Sequence, residues 1–340
     1  MMRVLLTGGS GFIAAHVLDY LIQQGYSVVT TVRSTAKADQ IRAAYPTVGT
    51  DRLDFAIVED IAQEDAFDDA LVSTPPFEAV IHTASPFHFN VTDVQRDLLD
   101  PAIKGTTGIL KSIVKKAPTV KKVIITSSFA SVVNPFKGPW PEHTYTEKDW
   151  NPITLDQASE NVANGYRASK TFAEKAAWRF LKQEKPHFSL TTLCPPQVLG
   201  PVISHLSSLD SLNTSNQVIC DLIQGKFKDK VPENATFTWV DVRDLALCHV
   251  RALETPEAAD QRFLVTAGYF CNRELVDIVR EHHDQIRNQL PAEDSAGGGY
   301  PKGGIYQVDS SKVVKILGIT FKKLPDTVMD TVNSLQRFLS

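Results

Sequence analysis

The sequence predicts an α/β fold: a doubly wound parallel sheet with helices on both faces, followed by a smaller C-terminal lobe. Three observations carry this. Short β-type runs alternate with helical runs from Val4 to Thr126, a glycine-rich turn joins the first strand to the first helix, and the alternation loosens after Leu193. Short strand–helix alternations of this kind build a parallel sheet with both faces covered.

Each element can be justified in order. Val4 to Thr7 reads as a short buried strand. Phe12, Ile13, Val17, Leu18, Leu21 and Ile22 recur at helical spacing, and Gly25 ends that helix. Ser27 to Val32 is a β-branched second strand. A polar helix from Ala36 to Tyr45, a strand from Leu53 to Val58 and a helix from Glu64 to Leu71 follow. Ala79 to His82 is a fourth strand. Val91 to Lys115 is helical with a kink expected at Pro101, and Lys122 to Thr126 is a fifth strand. Pro195, Pro196, Gly200 and Pro201 then interrupt the pattern, and Ser204 to Ser215 is a polar loop that could act as a lid. Thr236 to Val240 and Arg262 to Val265 read as strands, Val242 to Leu253 and Pro325 to Phe338 as helices, and Gly297 to Gly304 as a flexible loop.

Composition narrows the function. The 340 residues carry a formal net charge of -4, which attracts neither nucleic acid nor an anionic membrane surface. No apolar run approaches the roughly 18 residues of a bilayer span. Cys194, Cys220, Cys248 and Cys271 form no Cys-x-x-Cys, so reduced thiols are expected. The first strand begins at once without a charged leader, and a cytoplasmic location is the expectation. His282-His283 stands among charged residues and reads as a solvated helix face, so no metal site is expected.

Thr7-Gly8-Gly9-Ser10-Gly11-Phe12-Ile13-Ala14 fits a Rossmann-type dinucleotide turn. Gly8 permits the tight turn, Gly11 lets the backbone approach a pyrophosphate, and Ala14 lets the helix pack close. The helix N-terminus offers N–H groups to phosphate. The second strand ends in Arg33, with Lys37 a turn later, where an NAD site places a carboxylate. Arginine suits a 2′-phosphate, so NADPH is the expected cofactor. Asp60 and Ile61 end the third strand, where Asp60 can accept from an adenine amino group. Thr83, Ala84 and Ser85 end the fourth, beside the nicotinamide. His82 is as well explained by burial as by any role in a site.

Tyr166-Arg167-Ala168-Ser169-Lys170 opens a strongly helical stretch. Positions i and i+4 lie on one helix face with Cβ atoms about 5–6 Å apart, so Lys170 and Tyr166 reach one pocket. A neighbouring ammonium is expected to lower the tyrosine pKa from roughly 10 and make it a usable acid. Ser127-Ser128 ends the fifth strand, where a hydroxyl can hold a carbonyl oxygen. Either serine can serve on position alone.

These motifs resemble the extended short-chain dehydrogenases/reductases, and most of all fungal carbonyl reductases of the methylglyoxal, 3-methylbutanal and aldehyde reductase type. Further anchors are His82 to Phe87, Arg96 to Leu99, Asp149 to Pro152, Phe172 to Trp178 and Asp241 to Asp244. Plant dihydroflavonol 4-reductases and cinnamoyl-CoA reductases are more distant relatives. The resemblance implies a Ser128–Tyr166–Lys170 triad, with Lys170 also on the nicotinamide ribose and Pro195 and Val198 at the nicotinamide end. It implies residues 1–193 as the NADP-binding domain, completed by segments around 236–265, and 194–340 as mainly a substrate-binding lobe. Dihydroflavonol reductases carry a polar residue five positions after the serine. Here that position is Val133, which argues against a flavonoid substrate.

Phe87, Phe89, Phe129, Val133, Val162, Gln197 and Leu199 are expected to line a mostly apolar pocket for a small aldehyde or ketone. The protein is expected to act as a monomer or homodimer. Two other readings remain: an NAD-dependent nucleotide-sugar epimerase or dehydratase, and a non-catalytic NADP sensor. Arg33 speaks against the first, and the intact Tyr166 and Lys170 against the second.

Overall fold

The structure is a computed structural model that describes residues 1–85, 91–203, 209 and 212–338. β1 (Arg3–Thr7) and β2 (Ser27–Val32) are buried at every position, as strands covered on both faces must be. The glycine turn leads from β1 into α1 (Phe12–Gln23), and β2 leads into α2 (Thr35–Ala44). β3 (Leu53–Ile57), β4 (Ala79–His82), α3 (Asp100–Lys116) and β5 (Lys122–Thr126) complete the first half. β6 (Thr144–Tyr145) and α4 (Leu155–Ala158) precede the long α5 (Val162–Glu184), whose first turn is capped by the Asn161 side chain. β7 (Ser189–Cys194) and β8 (Gln197–Leu199) follow. The remaining elements are α6 (Gln217–Ile223), β9 (Thr238–Asp241), α7 (Val242–Glu254), β10 (Gln261–Leu264), β11 (Gly268–Tyr269), α8 (Asn272–His282), β12 (Gln307–Val308), α9 (Ser311–Leu317) and α10 (Leu324–Gln336).

Among the described residues, seven strands form one parallel sheet in the order β10-β7-β5-β4-β1-β2-β3. The order reverses between β1 and β4, which places a binding crevice at the carboxyl ends of those strands. One apolar layer joins the sheet to α1 and α7, and another joins it to α3 and α5. A third core gathers α6, α8 and α10 into the smaller lobe. β8, β9 and β11 form a separate three-stranded sheet, so β10 joins the main sheet and β9 does not.

Several expectations need correction. Glu64 to Leu71 is not a helix; it is a run of turns with a 3₁₀ turn at Asp69–Leu71. Phe67, Ala70 and Leu71 are buried at helical spacing, but Asp65 adopts a left-handed backbone (φ 55°) that stops a helix. The bend expected at Pro101 is a π-type turn at Gln95–Leu99, and the proline sits in the first turn of α3, where its missing N–H costs nothing. His283 is buried rather than on a solvated face. The start of the Gly297–Gly304 stretch is tied down, since Arg273 N–H donates to the Gly298 carbonyl (2.9 Å) and its guanidinium to that of Gly297 (3.2 Å). The polar loop from Ser204 to Ser215 lies partly outside the described residues.

Candidate active site

The carboxyl ends of β1, β2 and β4 are stitched together at the glycine turn. Thr7 Oγ1 lies 2.8 Å from His82 Nδ1 and accepts from Ala84 N–H (3.1 Å), while Thr83 Oγ1 donates to the Thr7 carbonyl (2.6 Å). Gly8 N–H donates to Thr31 Oγ1 (3.1 Å) and Gly9 N–H to the Thr31 carbonyl (2.9 Å). Gly8 has φ +76°, and a Cβ there would meet Ala84 Cα at 2.9 Å. A Cβ on Gly9 would fall 2.1 Å from Thr30 Oγ1. Gly9 was passed over in the sequence, because only the fold brings Thr30 against it.

No side chain caps α1, so the N–H groups of Phe12 and Ile13 beyond Ser10 and Gly11 have no intrahelical acceptor. Ala14 is buried, as close helix–strand packing requires. Arg33 is exposed at the end of β2, and Lys37 follows in the first turn of α2. Asp60 is brought near Arg33. Its carboxyl accepts from Ala62 N–H (2.9 Å) and Gln63 Nε2 (2.8 Å), and these bonds, aided by Arg33, hold its pKa below the usual value.

α5 carries Tyr166 and Lys170 to the ends of β4 and β5. Lys170 Nζ donates to Ser85 Oγ (2.7 Å) and lies 5.9 Å from the centre of the Tyr166 ring. Burial lowers the Lys170 pKa to about 8. Tyr166 differs from expectation. Burial raises its pKa, and the opposing influence is a hydrogen bond with Ser128 rather than the Lys170 charge. The lysine ammonium is anchored on Ser85.

The two serines separate clearly. Ser128 Oγ accepts from Ala130 N–H (3.1 Å) and meets Tyr166. Ser127 is buried and donates to Glu174 Oε2 (2.7 Å), which removes it from the phenol. His82 is fully buried, and burial pushes its pKa down to about 3, leaving it a neutral partner of Thr7. A small cleft beside Lys170 is lined by Ile61, Ala84, Ser85, Thr106, Ser127 and Glu174, among others.

The apolar pocket candidates divide. Val133 and Val162 are partly buried, and Gln197 reaches the Ser215 carbonyl (3.1 Å). Pro195 accepts from Phe129 N–H (2.8 Å), and Val198 is buried beside it. Phe129 and Leu199 are corrected to core residues. Phe129 packs with Tyr145 and Tyr306 at 3% exposure, and Leu199 is wholly buried in the smaller lobe. Phe87 and Phe89 lie outside the described residues. The sequence reading also missed a buried ion pair, Glu174 with Arg262 (2.8 Å), directly behind Ser127. The visible signal was a carboxylate four residues beyond Lys170, on the same helix face as Tyr166 and Lys170.

Known proteins resemble this chain in sequence and in fold. A family model described as NAD dependent epimerase/dehydratase family matches residues 4–266. Over 334 residues the chain is 46% identical to the ketoreductase azaE of Aspergillus niger, covering 98% of this chain and 97% of that protein. It is 35% identical over 341 residues to the NADPH-dependent methylglyoxal reductase GRE2 of Saccharomyces cerevisiae, with 99% of each covered. A crystal structure of Gre2 in complex with NADPH from Candida albicans matches with TM-score 0.93 and 37% identity over 100% of both chains. The chain therefore belongs to the NAD dependent epimerase/dehydratase family, and within it to the group that holds these fungal reductases.

Proposed function

We propose that this chain is an NADPH-dependent carbonyl reductase that converts small aldehydes and ketones to alcohols. The observation that carries the reading is the Tyr166 phenol hydrogen-bonded to Ser128, one helical turn from the partly buried Lys170 at the carboxyl ends of β4 and β5. The similar ketoreductase and methylglyoxal reductases support it.

The residues present fit the cofactor. A Cβ at Gly8 would strike Ala84 and one at Gly9 would strike Thr30, so only glycine builds this tight turn, and the uncapped N-terminus of α1 that it leads into suits a pyrophosphate. Thr7 holds the turn, and Ser10, Phe12 and Ile13 present it. Arg33 and Lys37 take the 2′-phosphate, Asp60 and Ile61 border the adenine, and Thr83, Ala84, Ser85, Pro195 and Val198 border the nicotinamide. When bound, NADPH supplies the hydride.

Tyr166 donates its proton to the carbonyl oxygen. Ser128 holds that oxygen: the Ala130 amide occupies one side of its own oxygen and leaves its proton to be given. Lys170, anchored on Ser85, holds the ribose and supports the phenolate left behind. Val133, Val162 and Gln197 border the substrate, and the segment after Leu193 supplies that side of the site. A cytoplasmic location fits the four free, buried thiols. Among the described residues, no helix is long and apolar enough to cross a membrane.

The test follows NADPH oxidation with a panel of aldehydes, α-dicarbonyls, β-ketoesters and aryl ketones. Turnover of at least one class, with NADH a poor substitute, is expected. Purified protein that carries tightly held NAD and interconverts UDP-sugars instead would overturn the reading.

A further inference from the structure

Behind Ser127 lies a buried polar hub that the proposed chemistry does not use. Glu174 is 2% exposed and sits one turn beyond Lys170 on α5. Its Oε2 accepts from Ser127 Oγ (2.7 Å) and lies 2.5 Å from Ser131 Oγ; its Oε1 accepts from Thr192 Oγ1 (2.8 Å) on β7. Arg262, on β10, reaches both carboxylate oxygens (2.8 and 3.1 Å). The same guanidinium donates to the carbonyls of Glu147 (3.1 Å) and Asp149 (2.5 Å) and to Ser131 Oγ (3.1 Å), and stacks 3.7 Å from the Trp150 ring centre. Ser131 Oγ in turn lies 2.7 Å from the Ser128 carbonyl.

One ion pair therefore grips both flanks of Ser128, residues 127 and 131, and fixes them to the helix that bears Tyr166 and Lys170. An ion pair so deeply buried is seldom the cheapest way to stabilise a core, since apolar residues of similar volume often do as well. Its geometry has a different yield. The hydroxyls of Ser127 and Ser131 are both engaged by this network, while that of Ser128 faces Tyr166.

We propose that Glu174 and Arg262 are positioning residues that set the Ser128 hydroxyl against the Tyr166 phenol. The inference rests on the reductase reading for its kinetic arm. Misplacing a reacting group by about 1 Å costs on the order of 100-fold in rate, which sets the scale of the effect.

The test uses the full chain with NADPH and a carbonyl substrate that the wild type reduces. Glu174→Gln should lower kcat about 10- to 100-fold, with the Kd for NADPH unchanged. In a cycle with Ser128→Ala, Glu174→Gln should cost little more once the serine is gone, because both act through one hydroxyl. Multiplicative losses, or wild-type kcat in Glu174→Gln, would refute the proposal.

Glu174→Gln leaves Arg262 short of a charge partner and can fail to fold. The double variant Glu174→Leu with Arg262→Met removes that risk, and it should fold and still turn over slowly. A folded double variant at wild-type rate also refutes the proposal. A readout independent of turnover is amide exchange in the peptide spanning 127–133. It should quicken in the variants while the sheet keeps its protection, and unchanged exchange there counts against the hub whatever the protein reduces.

Discussion

At the scale of single residues, burial decides the chemistry of the site. Tyr166 is held protonated, the state in which a phenol donates, and Lys170 has a pKa lowered to about 8. An alkaline limb should therefore appear in the pH profile of reduction, with kcat falling above about pH 8 as Lys170 loses its charge; stopped-flow rates across pH 6–10 would show it. The same depression makes Lys170 costly to the fold. A base whose folded pKa lies below its unfolded value binds fewer protons when folded, so stability rises with pH between about 8 and the ordinary lysine value. Lys170→Met should accordingly raise the Tm at pH 7 while abolishing turnover, a trade between stability and activity that calorimetry and kinetics measure together. Arg33 is exposed at the end of β2. Arg33→Ala should raise the KM for NADPH about tenfold or more and leave that for NADH nearly unchanged, as expected for losing a charge-assisted hydrogen bond.

At the scale of elements, the glycine turn shows how tightly the fold is written. Gly9→Ala would set a methyl group 2.1 Å from Thr30 Oγ1. It should lower stability by about 1–3 kcal/mol in urea titrations and weaken NADPH binding in parallel. The alternation of strands and helices and the placing of Tyr166 and Lys170 on one helix are legible in the sequence because they depend on local periodicity. Glu64 to Leu71 misled because burial of Phe67, Ala70 and Leu71 imitates a helical face, while one left-handed residue, Asp65, decides the backbone. Glu174 and Arg262 are separated by 88 positions, and no local spacing reveals that β10 lies next to β7 and brings them together. Phe129 and Leu199 are apolar neighbours of the site in the chain, but the fold turns them into the core. Position alone does not separate Ser127 from Ser128; in the fold Ser127 donates to the Glu174 carboxylate and Ser128 meets Tyr166.

At the scale of the molecule, β9 and α7 are strapped to α10 by charge. Asp241 is fully buried, accepts from Arg243 (2.7 Å) and from Thr327 Oγ1 (2.6 Å), and Arg243 also reaches Asp330 (2.6 Å) on α10. Beside it, Asp244 has a pKa raised to about 6, chiefly by burial, although Lys322 N–H donates to it (2.7 Å). A carboxyl whose pKa is raised in the fold contributes stability below its unfolded value and loses it as pH climbs through 6. Asp244→Asn should thus melt at a higher temperature than wild type at pH 8 and at nearly the same temperature at pH 4. Equal melting temperatures at both values would show that Asp244 is ionised without penalty.

The central claim is that the Tyr166 phenol delivers the proton. Tyr166→Phe is its most direct measure, with NADPH oxidation and NADPH binding recorded on the same protein. The account predicts a loss of kcat of about 100-fold or more with the Kd for NADPH little changed. A phenylalanine variant that keeps most of its rate would contradict it.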